Sequence, residues 1–285
     1  MKNSGTFYIV ATPIGNLGDI SMRAIEILKI VDFVLAEDTR HSGKLLKHFD
    51  IKTKMLSLHE YNEKDRCEKI ITLLKSGVNV ALICDAGTPL ISDPGFYLVK
   101  NLQEENIKVV PIPGACAAIT ALCASGVASD KFIFLGFLSA KKTARLKELE
   151  EYKNMSCTMI FYEAPHRIFE TISDMATIFS PQRDAVIARE LTKIYEDIKR
   201  GSLEELLLWL TMDTNNQRGE FVIIVSKEEK ENINENTNAL NVLNILLKEL
   251  PLKQAVKIAS EITNANKNDL YKIALKQNLD LCQTE

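Results

Sequence analysis

Apolar residues in the first 112 positions alternate between short unbroken runs and stretches in which they recur every three to four residues. The short runs are rich in Val, Ile and Phe and predict buried strands, whereas the stretches with the longer spacing predict amphipathic helices. The predicted strands are 6–11, 33–38, 55–58, 78–85 and 107–112, and the predicted helices are 20–31, 42–49, 62–76 and 96–105. Strands that alternate with helices of this length are typical of a mostly parallel sheet covered on both faces.

A second set of elements follows a helix of small residues, PGACAAITALCASG (113–126). Such a helix can bring its backbone close to another backbone or to a ligand. The predicted strands or extended segments beyond it are 131–137, 156–162, one that begins at 184, 195–201 and 219–225, and the predicted helices are 141–152, 166–179 and 202–210. Ser202 and Glu205 have the spacing of a capping box. We therefore expect two α/β domains, residues 1–113 and 114–227.

The remainder of the chain predicts a linker and a small helical appendage. Residues 228–238 contain almost no apolar side chain, so they predict a linker. Residues 239–285 contain three segments with helical spacing, six lysines and five acids. The appendage is either an accessory module that docks the substrate or a cap that packs on the core or on a dimer partner. Docking on RNA requires the lysines to share one face.

The composition excludes several classes of protein. The chain is 46% hydrophobic and 26% charged, and its apolar runs are shorter than the ~20 residues that span a bilayer. The first residues lack the apolar core of a secretion signal, so we expect a cytoplasmic protein with reduced cysteines and no membrane segment. No CxxC pair and no HExxH spacing is present, so no metal site is predicted. The net charge of −3 argues against a protein that coats nucleic acid with a basic face.

Three loops rich in glycine and proline follow predicted strands of the first domain: ATPIGNLGD, DAGTPLISDPG and PIPGACAA. Ligands of parallel sheets bind at the carboxyl ends of the strands. One such loop is equally consistent with a tight turn, but three at equivalent ends favour a ligand site. GxxxxGK[ST] and a GxGxxG that opens a helix are both missing, which favours a nucleoside-like cofactor without phosphates. Asp85 and Asp93 can accept hydrogen bonds from ribose hydroxyls.

Six segments resemble the signature segments of the ribosomal RNA small subunit methyltransferase I family, which has the tetrapyrrole methylase fold. They are TPIGNLGDIS (12–21), EDTR (37–40), DAGTPLISDPG (85–95), PIPGACAA (111–118), FYEAPHR (161–167) and ARELTKIYE (188–196). The resemblance implies two α/β domains with a cleft between them that binds S-adenosylmethionine, usually in a homodimer. It implies methylation of the ribose 2′-oxygen of a decoding-region cytidine in 16S ribosomal RNA of the small subunit.

The resemblance also implies which residues bind the methyl donor. Carried over by position, they are Pro13, Gly15, Asp85, Gly87, Pro89, Ser92, Asp93, Gly114, Ala118 and Ala188. Glu190 would line the cleft on the side of Ala188. Many relatives of this fold have a GxGxGD-like first loop, whereas this chain has TPIGNLGD, which counts against a porphyrin-type substrate. A same-fold enzyme for another small molecule and a non-catalytic ribosome-assembly factor are the alternatives.

A ribose hydroxyl is a weak nucleophile, so a general base would accelerate its methylation by about 10²–10⁴-fold. Acid and base groups in three segments are the candidates for catalysis or substrate binding: Glu37, Arg40, Arg167, Glu190 and Lys193. Arg167 can grip a phosphate through its planar fork. Each segment has a structural alternative: a helix start with a local ion pair in EDTR, a helix cap at His166, and a buried salt bridge in ARELTK. The basic run from Lys141 to Lys147 is either a binding patch or a solvated helix face.

Overall fold

The computed structural model describes residues 4–227, 232–263 and 265–281. The chain divides at Lys227 into two compact units. The first half of the larger unit contains β1 (Phe7–Val10), α1 (Met22–Ile30), β2 (Phe33–Ala36), α2 (Thr39–His48), β3 (Lys54–Ser57), α3 (Glu63–Lys75), β4 (Val80–Ile83), α4 (Phe96–Glu104) and β5 (Val109–Ile112). The alternation predicted from the apolar pattern is confirmed, and the observed strands are shorter than the predicted runs.

These five strands form a parallel sheet in the order β3-β2-β4-β1-β5. Helices α1 and α2 cover one face around Leu28 and Leu46, and helices α3 and α4 cover the other around Leu74 and Leu98. The connection from β1 to β2 and the connection from β4 to β5 cross the sheet in opposite directions. Right-handed crossovers then leave β1 and β4 towards opposite faces, which opens a crevice at their carboxyl ends.

The second half of the larger unit contains α5 (Ala117–Ser125), β6 (Phe132–Phe137), α6 (Lys142–Tyr152), β7 (Thr158–Glu163), α7 (Ile168–Phe179), β8 (Asp184–Arg189), β9 (Asp197–Ser202), α8 (Leu203–Met212) and β10 (Phe221–Val225). Its sheet has the order β6-β7-β10-β8-β9, and only β6 and β7 of this sheet pair in parallel. The predicted capping box is present, because Ser202 and Glu205 bond to each other's backbone N–H.

Helix α5 packs on one face of the second sheet through Ala118, Ala121 and Leu122. Of the two partners that the sequence allowed for this helix of small residues, a backbone or a ligand, the packing on the strands corresponds to the first. Ile14, from the loop after β1, packs in the same cluster. The loop that follows the first strand therefore reaches across to the second sheet, and helices α6, α7 and α8 cover the opposite face of that sheet.

The basic run in α6 does not form a continuous charged surface, because Arg145 is fully buried. Its Nε donates a hydrogen bond of 2.8 Å to Asp174 of α7. A buried guanidinium requires such a partner, since burial of an isolated charge is costly. Arg145 joins α6 to α7, and the interpretation of this run as a binding patch is wrong for that residue.

The smaller unit contains α9 (Asn232–Leu246), α10 (Leu252–Thr263) and α11 (Lys267–Leu281), which pack around Leu243, Val256 and Leu270. The prediction of a linker over 228–238 is wrong from Asn232 onward, while residues 228–231 lie outside the described residues. A polar segment can continue a helix, because propagation costs much less than nucleation. Within the described ranges, no helix is both long and apolar enough to span a membrane.

Candidate functional site

The three glycine- and proline-rich loops meet at the carboxyl ends of β4, β1 and β5, which are neighbours in the first sheet. Thr12 and Gly87 exchange two backbone hydrogen bonds, of 2.8 and 3.1 Å, and so join the loops after β1 and β4. The Thr88 hydroxyl donates a hydrogen bond of 3.0 Å to the Ala115 carbonyl, which joins the loops after β4 and β5. Strand order thus brings together segments that are far apart in the sequence.

The loop after β4 has an unusual backbone. Gly87 has a φ of +85°, and the non-glycine residues Leu90 and Ser92 have φ values of 72° and 68°. Side chains with a Cβ rarely occupy this region, and such strained residues cluster at ligand sites. The glycine at position 87 is explained by its φ and by the close approach of Ile14, whose Cγ2 would lie 3.3 Å from an added Cβ.

A cavity of about 400 Å³ lies between these loops and the second sheet. This volume is within the roughly 300–1,000 Å³ of small-molecule sites. The loop side is built from Ile14, Asp85, Gly87, Thr88, Ser92, Asp93 and Cys116. The opposite side is built from Phe137, Tyr162, Glu163, Ala188, Leu191, Glu220 and Val222. The surface is largely apolar, with carboxylates at a few positions, as expected of a cofactor site.

The donor-site residues implied by the resemblance lie at or near this cavity. Asp85, Gly87, Ser92, Asp93 and Ala188 line it. The remaining ones, Pro13, Gly15, Pro89, Gly114 and Ala118, are not lining residues but lie within two positions of the lining residues Ile14, Thr88, Cys116 and Ala117 in the chain. They shape the loops: at Gly114 an added Cβ would lie only 2.8 Å from the Cβ of Ala11.

Carboxylates are concentrated at the crevice between β1 and β4. Burial raises the pKa of Asp93, with a smaller contribution from the charge of Asp85. Burial also raises the pKa of Glu37, and the charges of Asp93 and Asp85 add to this effect. Glu37 follows β2, the neighbour of β4, so it lies in the electrostatic field of the cavity without being one of its lining residues. Together these groups favour a positively charged ligand.

Arg40 is not a lining residue of the cavity, and its side chain is 89% exposed. Its guanidinium bonds to Asp38 at 3.1 Å. Asp38 caps α2, and the hydrogen bonds from Arg40 lower its pKa to about 2. This arrangement is the helix start with a local ion pair that the sequence also allowed.

Arg167 points into the protein rather than towards solvent. It donates hydrogen bonds to the Glu163 carboxylate at 2.5 Å and to the Leu138 carbonyl at 3.2 Å, and its side chain is 15% exposed. Glu163 lines the cavity, so Arg167 supports that side of the cavity from behind. His166 is exposed in the turn before α7. The geometry favours a positioning role for Arg167 over contact with a phosphate.

Glu190 and Lys193 form a partly buried salt bridge of 2.9 Å, and Lys193 also bonds Glu220 at 3.0 Å. Burial raises the pKa of Glu190, but the hydrogen bonds from Lys193 and the Glu220 backbone outweigh it, so the pKa is lowered. Glu190 and Lys193 are not lining residues, whereas Glu220 is. An added Cβ on Gly15 would meet Lys193 Cγ at 2.5 Å, so the loop after β1 packs directly on this salt bridge.

Sequence reasoning missed most of the second side of the cavity. Tyr162 lies within FYEAPHR, but from the sequence we predict roles only for other charged or titratable residues of that segment. Its hydroxyl accepts a hydrogen bond of 3.2 Å from the Ala118 N–H at the start of α5, and burial raises its pKa. Phe137 and Val222 are ordinary strand residues in the sequence. Their place at the cavity follows from the order of the second sheet, which the apolar pattern does not encode.

Two solved structures share the fold of most of this chain. The structure of diphthine synthase matches with a TM-score of 0.60 at 16% identity, over 78% of this chain and 90% of that chain. The structure of uroporphyrin-III-C-methyltransferase from Thermus thermophilus matches with a TM-score of 0.56 at 17% identity, over 78% and 94%. At such low identity these matches show a common fold.

Relatives with much higher identity cover almost the whole chain. Ribosomal RNA small subunit methyltransferase I of Haemophilus influenzae is 50% identical over 274 residues, which are 95% of this chain and 97% of the relative. Its counterpart in Pseudomonas aeruginosa is 50% identical over 279 residues, 96% and 98% of the two chains. The counterpart in Escherichia coli O157:H7 is 46% identical over 276 residues, 97% and 96%.

Two family descriptions match separate parts of the chain. Residues 6–207 match the tetrapyrrole (corrin/porphyrin) methylases, and residues 234–278 match the RsmI C-terminal HTH domain. The second match covers most of α9 to α11, so the predicted helical appendage corresponds to a C-terminal domain found in this family. The resemblance identified from six short segments is confirmed. The chain therefore belongs to the ribosomal RNA small subunit methyltransferase I family of tetrapyrrole methylases.

Proposed function

We propose that this S-adenosylmethionine-dependent methyltransferase methylates the ribose 2′-oxygen of a decoding-region cytidine in 16S ribosomal RNA, with the small ribosomal subunit as its substrate. The observation that carries the proposal is the sequence identity of 50%, over at least 95% of this chain, with enzymes named as ribosomal RNA small subunit methyltransferases. The choice of a cytidine and of its 2′-oxygen rests on the resemblance of the six sequence segments.

The cavity fits the methyl donor in size, polarity and charge. Leu191 and Val222 offer apolar surface for a nucleobase, and Asp85 and Asp93 offer acceptors for ribose hydroxyls. Asp85 already accepts a hydrogen bond of 3.3 Å from the Asp38 N–H, which fixes its orientation. The negative field to which Glu37 contributes suits a sulfonium. When bound, S-adenosylmethionine supplies a methyl group that is open to attack by an oxygen nucleophile.

The protein's own contribution is chiefly alignment and exclusion of water. Orientation of reacting groups contributes roughly 7–11 kcal/mol to such displacements. The stiff loop around Gly87 and the buried pair Glu163 and Arg167 hold the two sides of the cavity in fixed positions.

We propose that Asp93, which lines the cavity and whose pKa is raised by burial, is the candidate to take the hydroxyl proton, in which case Asp85 is the residue that accepts from the donor's ribose. Glu37 does not line the cavity, so its contribution is the charge that it adds to the site. General-base catalysis would add about 10²–10⁴-fold.

The test combines transfer to purified substrates with analysis of cellular RNA. Tritiated methyl groups from the donor should enter 16S ribosomal RNA in purified small subunits, and a panel of small acceptors should stay unlabelled. Mass spectrometry of ribosomal RNA nucleosides should show one 2′-O-methylated cytidine that disappears when the gene is deleted. Label in a small acceptor alone would support the same-fold alternative, and a protein that binds the donor without transferring methyl to any acceptor would support an assembly factor.

We further propose that the enzyme acts as a homodimer in the cytoplasm, where its ribosomal substrate is found. Light scattering at several protein concentrations measures the mass of the particle directly. A homodimer should have a mass close to twice 32.0 kDa. A mass of 32.0 kDa at every concentration would show a monomer and contradict the proposal. Donor titration by calorimetry on the same sample then gives the number of sites per chain.

A further inference from the structure

Strand β6 contains an irregularity that changes which side chains face the cavity. Phe134 pairs with Ile160 of β7, but the next paired residue is Gly136, opposite Phe161, so Leu135 is an extra residue. Gly136 has a φ of +65°, which suits a bulge. Because side chains alternate along a regular strand, residues 134 and 137 would otherwise lie on opposite faces. The bulge puts both on the same face.

The consequence is an aromatic cluster at the edge of the cavity. Phe137 pairs directly with Tyr162 in the strand register. The ring of Tyr162 meets Phe134 at 4.8 Å and Phe137 at 5.6 Å between centroids, both edge to face. Tyr162 is itself fixed by the hydrogen bond from the Ala118 N–H. The Phe137 ring is therefore held from behind in one orientation.

Phe137 is nevertheless 56% exposed, so much of its ring is accessible to a ligand. It lines the cavity on the side opposite Asp85 and Asp93. The neighbouring Gly136 approaches the donor loop, since a Cβ built on it would lie 3.4 Å from Ser92 Oγ. The exposed ring thus lies where the second sheet meets the loop, beside the place where transfer would occur. The exposed face of the Phe137 ring does not contribute to packing of the core.

We propose that Phe137 is the surface on which the base of the target nucleotide stacks. This inference rests on the proposed function, since it assumes a nucleotide acceptor. Sequence-specific RNA recognition uses unstacked bases that lie against aromatic side chains. Enzymes that act on one nucleotide also take it out of its stack and into a pocket. Phe137 would replace the lost stacking partner and so orient the attached ribose towards the donor.

The variant that separates stacking from packing is Phe137→Leu, which keeps apolar bulk and removes the aromatic face. Loss of one base–aromatic stack should lower kcat/KM on small subunits by about tenfold, within the range of such substitutions. Phe137→Tyr and Phe137→Trp restore an aromatic face and should recover most of the activity. Donor affinity, measured by calorimetry, should stay at the wild-type value in all three variants.

Phe132→Leu is the matched control, because Phe132 lies on the same strand, is 44% exposed and does not line the cavity. It should match wild type in both measurements. Equal kcat/KM for Phe137→Leu and wild type would overturn the proposal. A parallel loss of donor affinity would also overturn it, since the ring would then belong to the donor site. If wild type binds the donor but does not methylate small subunits, the proposed function fails and this assignment falls with it.

Discussion

The Arg167 guanidinium lies 2.5 Å from the Glu163 carboxylate, and the two side chains are only 15% and 1% exposed. Thr171 also donates a hydrogen bond to Glu163, at 2.6 Å, so both carboxylate oxygens have partners within the protein. A residue of the cavity lining thus owes its orientation to residues behind it. The salt bridge therefore contributes to the stability of the fold as well as to the shape of the cavity.

Arg167→Ala should therefore reduce stability. It leaves the buried Glu163 charge without its cation, and removal of one partner of a buried pair costs about 3–5 kcal/mol. Urea unfolding measures the change, and the double variant with Glu163→Gln should recover part of it. The opposite result, an unchanged unfolding free energy with methyl transfer strongly reduced, would return Arg167 to the phosphate-binding role first inferred from its sequence segment.

Asp85→Ala should weaken donor binding. The residue lines the cavity at the carboxyl end of β4, where it can accept hydrogen bonds from ribose hydroxyls. Loss of a hydrogen bond to a charged group costs about 1.5–3 kcal/mol, or roughly 10- to 150-fold in the dissociation constant. Calorimetry measures the affinity, with Asp130→Ala as a control that removes an exposed acid outside the cavity. Unchanged affinity in a folded Asp85 variant would exclude the assignment.

Gly87→Ala should lower both stability and donor affinity. The backbone at Gly87 has a φ of +85°, and the left-handed region costs a residue with a Cβ about 1–2 kcal/mol. The two hydrogen bonds with Thr12 depend on this backbone. Gly43→Ala is the matched control, because Gly43 lies within α2 and alanine there should stabilise the helix. Thermal melts that move in the same direction for both variants would contradict the explanation.

Asp93→Asn should alter the pH dependence of stability. Burial raises the pKa of Asp93 above its ordinary 3.8, although a hydrogen bond from the Cys84 thiol opposes the shift. A group with a raised folded-state pKa contributes stability below its unfolded pKa and loses it as the pH rises through the folded value. The ionised carboxylate therefore costs stability at neutral pH, where asparagine avoids the cost.

The variant should be more stable than wild type at pH 7, and the difference should shrink as the pH falls towards 3.8. Urea unfolding across this range measures it, and calorimetry at pH 7 should show weaker donor binding. A constant difference at every pH would mean that the amide acts through packing. Greater stability with poorer binding would mark Asp93 as a residue kept for function.

Truncation after Lys227 should leave donor affinity and thermal stability unchanged and strongly reduce activity on small subunits. The chain divides into compact units at this point, and α9 to α11 have a core of their own. The match of residues 234–278 to a C-terminal domain of the family supports a separable module. A truncated protein that precipitates or melts much earlier would show that the segment is structural, and docking should then be dropped.

The strands and helices of the first sheet could be predicted almost completely, because their signals are local. Each strand is a short apolar run, and each helix has its own spacing. The meeting of the loops at Thr12, Gly87 and Ala115 also follows, since parallel strands end at one edge. The proximity of Glu37 to Asp85 was harder to predict, because it depends on β2 lying beside β4 in the sheet.

Features that depend on distant partners could not be predicted in the same way. The charge run of α6 gives no sign that Arg145 is buried, because its partner Asp174 lies on another helix. The mixed pairing of the second sheet and the bulge at Leu135 are set by contacts with β7 and β10. Exposure of Phe137 at the cavity follows from that bulge, so no periodicity in the sequence indicates it. The contact of Arg167 with a backbone carbonyl could not be predicted either, because that carbonyl lies 29 positions earlier in the chain.

Every strand of the first sheet precedes residue 113 and every strand of the second follows residue 131, so the described part of the larger unit has a single covalent crossing between its sheets. It lies at residues 113–116, between β5 and α5. Pro113 has a fixed φ, so torsions at Gly114, Ala115 and Cys116 must absorb any change in the width of the cavity. Cys116 itself lines the cavity. A ligand that touches Cys116 therefore contacts the segment through which the two sheets are covalently joined.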